Sequence, residues 1–87
     1  MSDPTPGYHL AAIPKGVLGE LSKVQEELSE AFDAEGQGVK LMVLVELSDA
    51  VGAIEAYLER HHPGTCLTDL IAMAGVTRRA FESGHRK

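Results

Sequence analysis

The segment Val39–Leu58 constrains the fold most. Wound at about 100° per residue, it shows one polar stripe, made by Ser48, Gly52, Glu55 and Glu59. Nearly all the remaining circumference is apolar, the pattern of a helix buried on most sides. Glu46 and Asp49 break that pattern. They project on the far side of the helix, among Met42, Ala50, Ala53 and Tyr57. An unpaired buried carboxylate costs several kcal/mol in effective terms. A cation should therefore stabilise this pair, and a hard metal ion is the economical choice.

The rest of the chain reads as an extended arm and two further helices. The arm, residues 1–13, holds two of the four prolines, and Pro14 suits a first helical turn. From there to about Ala34, Val17, Leu21, Val24, Leu28, Ala31 and Phe32 recur at helical spacing. The glycines of EGQG end that helix and turn the chain. The second helix runs from about Val39 to Arg60 and stops before HHPG. A third follows, with Thr65 or Thr68 as N-cap and Leu67, Leu70, Ile71, Ala74 and Phe81 as apolar positions. Residues 83–87 read as a flexible tail. The expected fold is all-α: one domain over residues 1–87, an antiparallel helical hairpin plus a C-terminal helix.

Size then points outward. Eighty-seven residues with two Phe, two Tyr and no Trp supply a small core. One or two neighbouring helices cannot cover the apolar girth of the second helix, so a homodimer or homotetramer should complete the bundle. A net charge of −5 gives no footprint for nucleic acid. The lone Cys66 fits a reducing compartment. No apolar run reaches transmembrane length, and MSDPTPGYHL has no signal-peptide pattern, so no membrane partner and a cytoplasmic location are expected.

A second acidic group lies on the first helix: Glu26, Glu27 and Glu30. Measured from the turn, Glu27/Glu30 lies about 13 Å up one helix and Glu46/Asp49 about 16 Å up the other. The pairs are nearly level, and each has i, i+3 spacing on one face. Four carboxylates can thus converge between the two helices. Their repulsion would raise their pKa values unless a cation joined them. Mg²⁺, or Mn²⁺ in its place, binds carboxylates and substrate phosphates and acidifies water for attack. One cysteine, with no HExxH or CxxC, offers nothing to a softer metal.

The order Glu26-Glu27-x-x-Glu30, fifteen residues, Glu46-x-x-Asp49 resembles the motif of the MazG-like all-α nucleoside triphosphate pyrophosphohydrolases. IPKGVLGELSKVQEEL, VELSDAVGAIEAYLE and DLIAMAGVTRRAFESGHR look like the short, single-domain branch often carried by phages. The resemblance implies Mg²⁺-dependent cleavage of an NTP or dNTP between its α- and β-phosphates, giving monophosphate and pyrophosphate. For a phage protein it also implies the host cytoplasm. Glu27, Glu30, Glu46 and Asp49 match the family's metal-binding acids. Glu26 matches its first glutamate, a weaker ligand, a base or an outer residue, so Glu27 and Glu26 are the candidate catalytic groups. Lys15, Lys23, Arg78 and Arg79 are the candidate phosphate-binding groups, with Arg86 and Lys87 behind them. Two rivals remain open: a non-catalytic helical module that binds metal or nucleotide, and a hydrolase of another phosphoanhydride or signalling nucleotide.

Overall fold

The computed structural model of the protein describes His9 and residues 12–84. It is all-helical, with α1 at Leu21–Gly36, α2 at Lys40–His61 and α3 at Leu67–Glu82, and no strand among the described residues. Most of the arm expected at 1–13, and Arg86 and Lys87 of the expected tail, lie outside the described residues. No described helix is long and apolar enough to cross a membrane.

The turn between α1 and α2 is built by its glycine. Gly38 has φ +78°, a conformation that glycine adopts without a Cβ penalty. Val39 N–H then reaches back to Ala34 O at 3.1 Å, and Gly38 N–H to Glu35 O at 3.0 Å. These two bonds form the Schellman closure of α1. At the far end, α2 carries Arg60 and His61 in its last turn, where cations suit the helix dipole.

The start of α1 differs from the sequence expectation. The helix begins at Leu21, not at Pro14. Residues 17–20 form a turn closed by Glu20 N–H to Val17 O at 2.9 Å, with Gly19 at φ +93°. Arg60 lies over that glycine, and Glu20 accepts from Arg60 at 3.1 Å and from His61 at 3.2 Å. Gly16 sits even closer to the helix. A Cβ there would collide with the backbone of Ser22 and Lys23. The Gly16 amide donates to Glu26 Oε1 at 2.8 Å, so the segment ahead of α1 is strapped to the helix instead of continuing it. Gly16→Ala is expected to lower unfolding free energy by about 1–3 kcal/mol, as overpacking does. An unchanged urea midpoint would show that the strap contributes nothing.

α3 differs in a smaller way. Its N-cap is Cys66, and neither Thr65 nor Thr68 takes that place. The Cys66 N–H donates to Asp69 Oδ2 at 2.8 Å, which closes the first turn without a threonine. This helix buries no residue, and of the other two helices it touches only α2.

Packing is concentrated between α1 and α2. The buried apolar residues are Ala31, Ala34, Ala50, Ala53 and Leu58. Four alanines let two helices approach closely, but they exclude little water-facing surface. Buried with them are Glu26, Glu27 and Glu46. The polar stripe of α2 (Ser48, Gly52, Glu55 and Glu59) is exposed as its spacing predicts. The large side chains are not where the sequence puts them. Leu28, Phe32, Leu41, Leu44, Leu47 and Val51 all face outward, Phe32 with 74% of its surface exposed. α1 turns Glu26, Glu27, Ala31 and Ala34 inward and leaves most of its apolar stripe uncovered. Three carboxylates are inside, and of these leucines only Leu58 joins them.

Candidate metal centre

The inward acids form three overlapping groups. Donor atoms of Glu26, Glu27 and Glu30 lie within 4.8 Å of one another, as do those of Glu27, Glu46 and Asp49. A third group of the same span joins His9, Glu30 and Glu46. Glu27 links the first two groups, while Glu30 and Glu46 link to the third. Local geometry explains this. Each i, i+3 pair presents its carboxylates on one helical face, and the alanine seam brings the two faces together. Glu27 and Glu46 are buried, Glu30 is half-buried, and Asp49 is exposed at the rim.

Like charges at that range should suppress one another's ionisation. Glu30 is pushed up to about 8 by burial, then by its hydrogen bond to Glu46 and the charges of Glu27 and Glu46. The sign of the resulting pH dependence follows. In the unfolded chain Glu30 ionises near 4.5, while the folded site holds its proton to about 8. Between those values only the folded state keeps the proton, so stability is lost as pH rises through that window. With divalent cations chelated, the urea midpoint is expected to fall across that range and then level. Glu30→Gln should remove the slope, and an unaltered slope in that variant would refute the assignment.

Glu26 behaves differently. Burial would raise its pKa, but the Gly16 amide, Lys23 and Lys15 outweigh burial and hold it below the ordinary range. Its oxygens are taken by Gly16 N–H at 2.8 Å, Lys23 Nζ at 3.1 Å and Lys15 Nζ at 3.6 Å. Lys23 also reaches Glu27 Oε2 at 3.3 Å. Desolvation pulls the Lys23 pKa down, but hydrogen bonds to Glu26 and Glu27 raise it overall. Lys23 is thus a cation beside the acids, and Lys15 is an exposed cation at their edge. Arg78 instead pairs with Glu82 at 2.9 Å one turn along α3, and Arg79 lies exposed in the last turn of that helix.

Two residues of the site escape the sequence reading. His9 donates from Nδ1 to Asp33 Oδ2 at 2.8 Å, and its Nε2 lies 3.3 Å from Glu46 Oε2 and 3.8 Å from Glu30 Oε1. Asp33 is in turn held by Gln37 Nε2 at 3.0 Å. A signal for Asp33 was present: Glu26, Glu30, Asp33 and Gln37 follow at four-, three- and four-residue steps, one stripe of a helix. No periodicity marks His9, because its contact with Asp33 spans 24 positions of chain and that with Glu46 spans more.

The donor set fits a hard divalent ion. Glu27 Oε1 is buried and has no hydrogen-bond partner. A buried orphan oxygen is costly, about 1–3 kcal/mol, and more where the group is charged. A cation between the helices would satisfy it and relieve the repulsion together. No family model, curated protein or solved structure matches the chain.

Proposed function

We propose that the protein is a divalent-cation-dependent nucleoside triphosphate pyrophosphohydrolase that yields nucleoside monophosphate and pyrophosphate. The observation that supports it is that overlapping donor groups join Glu27 to Glu30 and to Glu46 and Asp49, while a buried oxygen of Glu27 has no hydrogen-bond partner. Mg²⁺, or Mn²⁺ in its place, would neutralise triphosphate charge and acidify water when bound there. The chain's own residues do the rest. Glu27, Glu30 and Glu46 would hold the ion from a low-dielectric seam, with Asp49 available at the open rim. Glu27 would take the proton through whichever of its oxygens the ion leaves free, as water cleaves the α–β anhydride and pyrophosphate departs. Glu26, with its charge already spent on Gly16, Lys15 and Lys23, is the weaker base and holds the strap in place. Lys15 and Lys23 stand at the edge where an incoming phosphate would meet positive charge. Arg78 is paired with Glu82 on α3, a helix without contact to α1, so the lysines are the better-supported phosphate groups.

The same proposal covers assembly. α1 and α2 form an antiparallel hairpin, and a homodimer or homotetramer completes the bundle over the exposed leucines. A cytoplasmic enzyme with no nucleic-acid partner fits the acidic composition.

A non-catalytic module is the second reading, and His9 favours it: the chain supplies its own cation-capable group to the acids. Product analysis separates the two. With Mg²⁺ and a panel of NTPs and dNTPs, the enzyme should release monophosphate and pyrophosphate. Diphosphate with orthophosphate would overturn the cleavage position, and no turnover of any nucleotide would favour the module.

A further inference from the structure

His9 is held in one orientation among the acids. Its Nδ1–H is fixed on Asp33, which is itself fixed by Gln37. That bond orients the ring and leaves Nε2 directed at Glu46 and Glu30. A carboxylate behind one imidazole nitrogen with the other nitrogen turned toward a cation is the usual support for a metal-bound histidine. The spacing agrees. Ligands at about 2.1 Å and right angles around an octahedral ion stand about 3.0 Å apart. The Nε2 distances of 3.3 Å and 3.8 Å need only a small contraction to reach it. Glu27, whose buried Oε1 has no hydrogen-bond partner, belongs to the two adjoining donor groups, which share Glu30 and Glu46 with the His9 group.

We propose that His9, held by Asp33, is a nitrogen ligand to the divalent ion and tilts the site from Mg²⁺ toward imidazole-favouring ions such as Co²⁺. The inference rests on the carboxylate site proposed above. Imidazole ligation favours later transition ions, whereas Mg²⁺ prefers oxygen and keeps its waters. The segment ahead of α1 thereby becomes part of the site, and its seating is coupled to which metal is bound.

The test is pulsed EPR of the full chain loaded with Mn²⁺, paired with Co²⁺ and Mg²⁺ titrations. The wild type should show ¹⁴N modulation from one directly bound imidazole, absent in His9→Ala and His9→Gln. Those variants should lose about 10–100-fold in Co²⁺ affinity, the range seen when a support of metal binding is removed. Their Mg²⁺ affinity should change by less than about 3-fold, since water can replace the ring. Asp33→Asn should keep the nitrogen signal and lose less Co²⁺ affinity than His9→Ala. Bound Mn²⁺ without a nitrogen signal, but weakened by Glu27→Gln, would overturn the His9 ligand and leave the carboxylate site standing. Tighter Mg²⁺ binding in His9→Ala would make His9 a competing counter-ion and overturn the proposal. No Mn²⁺ binding by the wild type would overturn both readings.

Discussion

Replacing Glu46 by Gln is expected to cut nucleotide hydrolysis by more than about 100-fold while leaving the fold intact. Loss of an outer-shell support already costs about 10–100-fold, and Glu46 is placed as a direct ligand at the meeting of two donor groups. Gln keeps the shape and one carbonyl oxygen but removes the charge that a hard cation requires. The same change relieves the repulsion on Glu30, whose raised pKa owes part of its shift to Glu46. The metal-free variant should therefore match or exceed the wild type in thermal midpoint above neutral pH. A variant that keeps most of its turnover would remove Glu46 from the site. One that loses activity because it unfolds would make Glu46 a packing residue.

Phe32→Glu is expected to break the proposed assembly and to lower the thermal midpoint by roughly 10 °C. Phe32 is 74% exposed and lies along a groove with Leu28, Ala31, Val43 and Leu47. Covering a phenylalanine contributes about 2 kcal/mol, and in a symmetric contact each copy loses it. For a domain of this size about 2 kcal/mol corresponds to roughly 10 °C of thermal midpoint. Light scattering on a sizing column should show the wild type at a multiple of 9.3 kDa and the variant at that mass. The wild-type midpoint should also rise with protein concentration, as coupled folding and association require. A wild type that runs at 9.3 kDa and melts independently of concentration would contradict the oligomer.

The two legible parts of the fold were those set by local chemistry. α2 was readable because twenty residues with a single polar stripe leave few alternatives, and its bounds differ from expectation by one residue at each end. The turn was readable because Gly38 supplies a conformation that other residues resist. The start of α1 was not. Val17 and Leu21 keep helical spacing with Val24, but the Gly16 amide finds a buried carboxylate ten residues ahead, and Gly19 takes a positive φ. A tertiary hydrogen bond outweighed a periodic signal.

The candidate site divides along the same line. Glu27, Glu30, Glu46 and Asp49 stand at i, i+3 spacing on neighbouring helices, so the sequence places them together before any long-range contact is known. His9 meets them only through contacts between residues far apart in the chain. Period and spacing carry no record of such contacts. The Cys66 cap of α3 escaped for a related reason: Asp69 makes the closing bond, so the capping residue need not be the usual threonine.

Anomalous diffraction from crystals grown with Mn²⁺ tests the metal centre most directly. A peak between α1 and α2, within about 2.1–2.2 Å of carboxylate oxygens from Glu27, Glu30 and Glu46, with Asp49 at its edge, is the expected result. Crystals of Glu46→Gln grown alongside should show the peak weakened or gone. Ordered Glu27 and Glu46 side chains with no peak between them at millimolar Mn²⁺ would contradict the metal site, and the hydrolase reading with it.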